Sequence, residues 1–390
     1  MCMSKRILYE IRMPIQSRVF ESFVPHTDLE EMVLAPRPEE AVNTAGTYSE
    51  FGITNIQHIT PYKNRKQCAQ WEKELENIVK WFNPHIIASS VPDMPSFVKC
   101  KRVYVSHGLI GTDAIKITQE TNMTPRVNAT WSGCDLYCGA GNMFKPWLKF
   151  ADRTFDEKKI LLNAMPQLDL LTSDYTNKYK DKIISQTRIK NPSKVILFFG
   201  FGPYGSVDFH KHNEDYYWTI IELERLARKH NWLIMLKVKA PIDASIKFFD
   251  GYSSKWEWLA GYYSDYMKAI KSDNVYTINS SAWHIYRYLF ADTIVTHGTS
   301  TVEVESCILR KPLVLVRTQV SPSEYDPFYT VNSKAAELID TRNAELLEDT
   351  ILKQMNNSDI ENKRKFVEEY HGILDDKQAY SRVQQRLLEL

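Results

Sequence analysis

The sequence has no long apolar run, no excess of charge of one sign and few cysteines. Its longest apolar runs, such as 195–199 and 313–316, are far shorter than the roughly 20 residues that span a bilayer, so we expect no transmembrane helix. Residues 1–11 become strand-like at once and show no secretory signal. We therefore expect a cytoplasmic protein, with peripheral contact at the inner membrane face left open.

The charged residues nearly balance, because 49 lysines and arginines stand against 48 aspartates and glutamates. A formal net charge of +1 argues against electrostatic attraction of the whole protein to nucleic acid or to an anionic membrane. Such partners could then bind only to a local basic patch. Six scattered cysteines predict reduced, mostly buried thiols. The one close pair, Cys134 and Cys138, has no matching second pair, so we expect no metal site.

The composition predicts a folded protein of more than one domain. Hydrophobic residues make up 43% and charged residues 25%, and a length of 390 residues suggests two or three domains. Strand-like and helical runs alternate, which predicts an α/β fold with two doubly wound, Rossmann-like domains built on parallel sheets. The predicted strands are 6–11, 31–35, 85–90, 102–106, 194–199, 232–238, 274–278, 293–296 and 313–316, and the predicted helices are 68–82, 213–230, 283–290 and 301–309.

A polar stretch, 181–193, precedes a strong strand and places the domain boundary near residue 190. After residue 340 the pattern becomes helical, and a narrow apolar stripe at four-residue steps predicts that the C-terminal helices pack back on another surface. The stripe consists of Ala379, Val383 and Leu387, and the predicted domains are 1–190, 191–365 and a helical tail, 366–390.

Ligands of open parallel sheets bind beyond the carboxyl ends of the strands, so residues at those ends are the first candidates for a site. His107 and Gly108 follow the strand 102–106 directly. A neutral imidazole there is suited to accept a proton from an attacking hydroxyl, and the glycine admits a ligand. The alternative is a histidine that only bonds a carbonyl of its own turn.

A second candidate site is the turn that follows the strand 293–296. This turn contains a glycine and several hydroxyl side chains, and a helix begins after it. Hydroxyls and free N–H groups at a helix start favour phosphate. Glu303 fits a capping box with Ser300 and then contacts only the backbone. Glu305 lies on another helix face, where it either binds a ribose diol or is a solvated charge. The predicted phosphate-binding residues here are His297, Gly298, Thr299, Ser300 and Thr301.

A third candidate is the glycine-rich loop after the strand 194–199, which formally matches G-x-G-x-x-G from Gly200 onward. The next helix begins only near residue 213, and the following strand ends with lysines, so NAD binding is not expected. Instead we expect the loop at Gly202 to face a ligand other than NAD, and Lys237 or Lys239 to neutralise a phosphate of that ligand. The alternative is that these lysines only form a solvated strand end.

Two further segments have structural alternatives. In Met165-Pro166-Gln167-Leu168-Asp169, the aspartate is expected to cap the next helix. The aromatic stretch 248–266, which includes Trp256, Trp258, Tyr262 and Tyr263, forms either an acceptor platform or, as the more frequent case, part of the core.

The order of these motifs resembles bacterial transferases of the GT-B architecture, in which two doubly wound domains enclose a cleft for a nucleotide-activated donor. Ser106-His107-Gly108, the Pro-x-x-Asp turn 165–169 and Ala291–Thr296 with its later hydroxyls are similar to the CDP-glycerol glycerophosphotransferase family. The segments 300–305 and 311–314 resemble the capsule polysaccharide glycosyltransferases.

The resemblance implies an inverting transferase that moves a sugar or polyol phosphate from a nucleotide-activated donor, such as a nucleotide-sugar or CDP-polyol, to a hydroxyl acceptor on a glycan, polymer or lipid-linked chain. It places the acceptor in the first domain and the donor in the second, in surface polysaccharide or teichoic-acid-like polymer synthesis, with neither cofactor nor metal. His107 would be the catalytic base or a phosphate contact, His297, Thr299, Ser300 and Thr301 would hold the donor phosphates, and Glu305 the ribose.

Two departures from the first family leave the transferred group open: Leu109, Ile110 and Gly111 follow Gly108 where a Thr and lysines are usual, and Lys237-Val238-Lys239-Ala240-Pro241 replaces a Lys/Arg-x-His-Pro motif. Three other functions remain as alternatives. They are a sugar-nucleotide epimerase or hydrolase, a glycosyltransferase that modifies nucleic-acid bases, and a scaffold of the same shape without catalytic activity.

Overall fold

A computed structural model of the chain shows two compact α/β units. Unit 1 comprises Met1–Leu170 and His371–Leu390, and unit 2 comprises Leu171–Tyr370. The residues that the structure describes are 4–12, 17–21, 23, 26, 28–37, 53, 55–60, 65–91, 94–106, 133–142, 144–145, 156–200, 210–237, 259–278, 285–297, 301–317, 333–340, 343–356 and 359–390.

Unit 1 is built on a parallel sheet of seven strands in the order β3-β2-β1-β4-β5-β6-β7. The sheet is buried on both faces, because successive residues of β1 enter different clusters: Ile7 and Tyr9 pack on one face, and Leu8 packs on the other. The strands are β1 (Lys5–Glu10), β2 (Leu29–Pro36), β3 (Ile56–Ile59), β4 (Ile86–Ser89), β5 (Lys101–Val105), β6 (Leu136–Cys138) and β7 (Ile160–Leu161).

Unit 2 is built on a parallel sheet of six strands in the order β10-β9-β8-β11-β12-β13. Apolar residues of β8, β9 and β12 pack with the buried face of a long helix in one core. The strands are β8 (Lys194–Phe199), β9 (Trp232–Lys237), β10 (Val275–Ile278), β11 (Thr293–Thr296), β12 (Leu313–Arg317) and β13 (Glu337–Asp340).

The helices cover the sheets with amphipathic faces. In His210–His230 the predicted stripe of Ile220, Leu223, Leu226 and Ala227 is buried. None of the described helices has both the length and the apolar character needed to cross a membrane. The helices are Ser17–Phe20, Arg65–Phe82, Ser173–Asn177, Lys180–Ser185, His210–His230, Leu259–Ala269, Val302–Ile308, Ala344–Asn356, Ile360–Lys365 and Ala379–Glu389, with 3₁₀ turns Glu157–Lys159, Pro166–Leu170 and Ile285–Tyr288 and a π-helical turn Phe366–Tyr370.

The predicted α/β fold and its nine strands are confirmed, each strand within two residues of its predicted ends. Four strands were missed, namely β3, β6, β7 and β13. β6 and β7 have three and two residues, which is too short for a period to emerge, and β3, β7 and β13 lie at sheet edges. The helix predicted over 283–290 is a single 3₁₀ turn in its described part.

The two units divide 20 residues before the predicted boundary at 190. The short helices Ser173–Asn177 and Lys180–Ser185 precede that boundary but belong to unit 2. The Arg287 guanidinium lies 4.7 Å from the centre of the Tyr179 ring, and the Tyr276 hydroxyl donates to Gln186 at 3.1 Å. The π-helical turn also belongs to unit 2, where Phe366 and Val367 are buried, so the returning tail starts at residue 371 and not at 366.

The tail docks as predicted, since Val383 and Leu387 of its last helix enter a core cluster of unit 1. Charged side chains hold both ends of that helix. Asp169 accepts hydrogen bonds from the backbone N–H groups of Ala379 and Tyr380 at 3.1 and 2.8 Å, and Lys5 donates to the carbonyl of Leu388 at 2.5 Å. A negative charge at the first turn and a positive charge at the last turn both favour the helix dipole.

Candidate functional site

The candidate site lies at the carboxyl edge of the sheet in unit 2. The register aligns Lys237 of β9, Phe199 of β8 and Thr296 of β11 in one row. From β8 the chain continues to β9 and β10 on one side, whereas β11, β12 and β13 extend the sheet on the other. The strand order therefore reverses at β8, and such a switch point is where open parallel sheets bind ligands.

Lys237 ends β9 as a buried lysine with 9% of its surface exposed. Burial lowers the pKa of its amine from 10.5 to about 8, because desolvation penalises the charged form. The alternative of a solvated strand end is therefore wrong. An amine with this pKa is mostly protonated at pH 7, and its charge acts in a poorly solvated place, where it attracts phosphate more strongly than a surface lysine does.

Thr296 and Glu303 connect the end of β11 to the helix that follows. The Thr296 hydroxyl donates to Glu303 Oε1 at 2.5 Å, and both residues are buried. The capping-box partner expected for Glu303, the backbone of residue 300, lies outside the described residues. The contact with Thr296 makes Glu303 part of the framework of the turn.

His297 is buried, with 1% of its surface exposed, and its ring packs in the core of unit 2. It meets the rings of Phe198 and Tyr216 edge-to-face, at centroid distances of 5.3 and 6.3 Å, and its Nε2 lies 3.4 Å from Thr219 Oγ1. The ring therefore packs against the helix His210–His230. The predicted contact of His297 with a donor phosphate stays a prediction.

Glu305 is completely buried in the helix Val302–Ile308, and its Oε1 accepts a hydrogen bond from the Tyr286 hydroxyl at 3.0 Å. The alternative of a solvated helix charge is therefore wrong. Thr301 is half-buried and precedes the same helix, to which its side chain gives no capping hydrogen bond in the described structure. Its hydroxyl is thus not committed to the helix end.

Gly200 follows β8 directly and is required by packing. A Cβ atom at this position would lie 2.6 Å from the Phe198 ring and 2.7 Å from the Tyr216 ring. The same two rings hold His297, so the ends of β8 and β11 share one aromatic support.

Several predicted residues lie outside the described part of the chain. They are His107, Gly202, Lys239, Gly298, Thr299, Ser300, Trp256 and Trp258, and their roles stay predictions. Of the aromatic stretch, Tyr262 and Tyr263 pack partly buried against the core of unit 2, which confirms the core alternative for these two residues.

The strand that leads to His107 is well anchored in unit 1. Ser106, the last described residue before it, donates its backbone N–H to the carbonyl of Cys138 at 2.9 Å, and its own carbonyl accepts from Gln167 Nε2 at 3.0 Å. Gln167 belongs to the predicted Pro-x-x-Asp turn. Asp169 of the same turn caps a helix about 210 residues later and not the next helix, so that expectation was wrong.

The described cysteines are free thiols, and Cys134, Cys138 and Cys307 are buried, as predicted. Burial raises the pKa of Cys134 to about 11 and that of Cys307 to about 12, so both stay protonated at neutral pH. Within the described ranges, no group of three His, Cys, Asp or Glu side chains is placed to hold a metal ion.

Solved structures share the architecture of the whole chain. The wall teichoic acid polymerase TagF matches at 13% identity with a TM-score of 0.61, over 99% of this chain and 88% of its own. A UDP-GlcNAc 2-epimerase from Neisseria meningitidis bound to UDP-GlcNAc matches at 13% identity with a TM-score of 0.59, over 99% of both chains. A glycosyltransferase from Rickettsia africae matches at 12% identity with a TM-score of 0.51, again over 99% of both.

These likenesses, together with the two parallel sheets, show that the chain has the GT-B fold. No protein-family model matches the chain, and the comparison with curated proteins gives no match either.

Proposed function

We propose that the protein is a GT-B transferase that moves a sugar or polyol phosphate from a nucleotide-activated donor to a hydroxyl acceptor in surface polymer synthesis. The observation that carries the proposal is the buried Lys237 in the row of strand ends at the switch point of unit 2. The fold supports it, since TagF, described as a wall teichoic acid polymerase, has the same architecture.

In the proposed site Lys237 pairs with the donor diphosphate, Thr301 offers an uncommitted hydroxyl, and the residues predicted around them complete the cradle: Gly202, Gly298, Thr299 and Ser300. Glu305 would bind the ribose only if its carboxylate accepted hydrogen bonds from the ribose and from the Tyr286 hydroxyl at the same time. The positive charge of Lys237 and the hydroxyls stabilise the departing phosphate. They would thereby do what a divalent metal ion does in other transferases.

The chemical step needs a base for the acceptor. In the proposal His107 accepts the proton of the acceptor hydroxyl while that oxygen attacks the donor, and the bond to the nucleotide phosphate breaks. The nucleotide leaves with the electron pair of that bond. For a sugar donor the broken bond is at the anomeric carbon, and for a polyol phosphate it is at phosphorus.

Lys237→Met tests the donor site. Without the ammonium group we expect CDP and UDP to bind at least about 10-fold more weakly, which corresponds to about 1.4 kcal/mol, whereas Lys237→Arg keeps most of the affinity. Isothermal titration calorimetry measures both. The matched control is Lys311→Met, since Lys311 is also partly buried with a lowered pKa but lies at the opposite end of β12, where its amine donates to the Phe290 carbonyl.

The affinity of the wild-type protein should also fall as the pH rises through about 8, because only protonated Lys237 attracts the phosphates. Lys237→Arg should abolish this fall. Equal binding of both nucleotides by wild type and Lys237→Met at pH 7 would contradict the donor site, as would failure of every common CDP and UDP donor to bind.

Epimerisation of a sugar nucleotide is the second candidate, because the Neisseria meningitidis epimerase matches over 99% of both chains. Incubation of the protein with UDP-sugars in the absence of an acceptor separates the two functions. A changed sugar on an intact nucleotide indicates an epimerase, and product that forms only with an acceptor indicates a transferase.

A further inference from the structure

The strand β5 ends just before His107, and a side chain from another part of unit 1 holds that end. β5 pairs with β6 up to Val105 and Cys138, and the backbone N–H of Ser106 donates to the Cys138 carbonyl at 2.9 Å. β6 ends at Cys138, and the Ser106 carbonyl accepts from Gln167 Nε2 at 3.0 Å. A side-chain amide therefore adds a hydrogen bond at the point where the two strands stop pairing.

Gln167 makes this contact from a turn that is itself fixed. The backbone N–H groups of Asn163 and Ala164 donate to the carbonyls of Ala140 and Gly139, both at 2.9 Å, which joins the start of the turn to the end of β6. Gln167 is completely buried. A side chain packed in the interior has few other rotamers open to it, so the carboxamide holds the Ser106 carbonyl in a defined direction.

The Ser106 carbonyl belongs to the peptide group that also contains the backbone nitrogen of His107. A peptide group is planar, so the hydrogen bond from Gln167 fixes the plane in which the main chain of His107 begins. His107 itself lies outside the described residues, but this covalent link to Ser106 holds wherever its side chain lies. Once that plane is fixed, only rotations within His107 remain to place the imidazole relative to β5.

The oxygen of the same carboxamide has no hydrogen-bond partner among the described residues, although it is buried. Only the NH₂ group of an amide can donate to a carbonyl, so Nε2 faces Ser106 and Oε1 is left to accept from another group. Buried polar atoms are nearly always hydrogen-bonded. We therefore expect the donor to Gln167 Oε1 in a part of the chain that is not described, and the segment that begins at His107 starts beside this amide.

We propose that Gln167 is a positioning residue for His107, because its carboxamide fixes the peptide group that joins β5 to the proposed base. The role of His107 as a base rests on the proposed function, whereas the contact of Gln167 with Ser106 does not. A base must lie within hydrogen-bond reach of the acceptor hydroxyl. A displacement of about 1 Å, caused by a change away from the reacting atoms, can lower the rate by about 100-fold.

Gln167→Met distinguishes positioning from a purely structural role. Methionine has nearly the same length and volume as glutamine but cannot donate a hydrogen bond, so the packing of the turn is kept. If Gln167 serves only the fold, the variant loses stability and nothing else. If Gln167 positions His107, we expect kcat to fall by about 10-fold or more while KM for the donor stays within about twofold.

The titration of the His107 imidazole gives a second readout that does not depend on activity. We expect its NMR signals and its pKa to differ between Gln167→Met and wild type, because the ring meets different surroundings. Should Gln167→Met fold poorly, Gln167→Glu tests the same contact, since a carboxylate has nearly the same shape as the amide and cannot donate.

The matched control is Asp169→Ala in the same turn. Asp169 accepts from the backbone N–H groups of Ala379 and Tyr380, so its replacement removes two hydrogen bonds of the turn and leaves the contact between Gln167 and Ser106 in place. Asp169→Ala should change neither kcat nor the titration of His107.

The experiment uses the full chain labelled with ¹⁵N-histidine, and the His107 signal is identified by its loss in His107→Asn. Transfer is measured with CDP-glycerol and UDP-N-acetylglucosamine as donors and with glycerol and methyl N-acetylglucosaminide as acceptors. An unchanged kcat or an unchanged His107 titration in Gln167→Met overturns the positioning role. An equal change in Asp169→Ala overturns it too, because any loosening of the turn would then have the same effect. Absence of transfer by wild type counts against the proposed function instead, and the titration of His107 then decides the role of Gln167.

Discussion

At the scale of single residues, the contacts of Thr219 decide the hydrogen-bonding state of His297. The Thr219 hydroxyl donates its one hydrogen to the carbonyl of Asp215 at 2.7 Å. It is then placed to accept from His297 Nε2, which lies 3.4 Å away, and we expect the neutral ring to carry its hydrogen on Nε2. The lone pair of the His297 ring is then on Nδ1. Thr219, on the helix His210–His230, thus orients this ring at the end of β11.

Thr219→Val should remove this preference, because valine has nearly the same shape and no acceptor. We expect the fraction of His297 with hydrogen on Nε2 to fall, and the protein to lose about 1 kcal/mol of stability. Two-dimensional NMR of protein with ¹⁵N-labelled histidine reports the tautomer. Thr219→Ser keeps the hydroxyl and should restore the wild-type spectrum; a spectrum in Thr219→Val identical to wild type would contradict the assignment.

At the scale of elements, the C-terminal helix depends on residues that are distant in sequence. Asp169 caps its start from a 3₁₀ turn, and Lys5 of β1 caps its end. Burial raises the pKa of Asp169, while the two backbone hydrogen bonds oppose that rise. The turn 166–170 also holds the carbonyl of Ser106 through Gln167, so one short element joins the tail to the strand before His107.

Asp169→Ala should loosen the helix Ala379–Glu389, because loss of an N-cap costs about 0.5–2 kcal/mol. We expect faster amide hydrogen exchange across this helix, by roughly 2- to 30-fold for that range of free energies. Asp359→Ala is the control, since Asp359 is the N-cap residue of the helix Ile360–Lys365 of unit 2 and accepts from the backbone N–H of Asn362. Unchanged exchange in the last helix of Asp169→Ala would show that the cap does not hold it.

At the scale of the whole molecule, the chain leaves unit 1 after residue 170 and returns at residue 371. The return is tightly built, because the carbonyl of His371 accepts from the backbone N–H of Asn142 at 2.9 Å, and a Cβ at Gly141 would lie 2.2 Å from that carbonyl oxygen. Burial lowers the pKa of the His371 imidazole from 6.5 to about 4.

This shift makes stability depend on pH in a defined window. Between pH 6.5 and 4 the unfolded chain takes up a proton at His371 and the folded chain does not, so the free energy of unfolding falls as the pH falls. The loss from this residue is at most about 3.5 kcal/mol, since the pKa falls from 6.5 to about 4 and each pKa unit corresponds to about 1.4 kcal/mol. Urea unfolding of wild type and His371→Gln at pH 7 and pH 4.5 measures it, and the variant should lose less stability than wild type; parallel losses would contradict the buried neutral histidine.

The pattern of alternating strands and helices was sufficient to predict the α/β class, nine strands and the strand ends at which Lys237 and Thr296 lie, because buried parallel strands are continuous apolar runs and amphipathic helices repeat every 3.6 residues. These are local properties, whereas the register that aligns the strand ends is a property of the folded sheet. The resemblance to GT-B families depended on the same local motifs.

Folding in three dimensions decided what each polar side chain meets. Asp169 caps a helix about 210 residues away, the ring of His297 packs on Phe198 and Tyr216, Glu305 is buried against Tyr286, and Glu10 pairs with Arg12 at the edge of β1. Burial and partners depend on residues brought together from separate parts of the chain. The spacing of residues along one strand or helix therefore does not predict their burial or their hydrogen-bond partners.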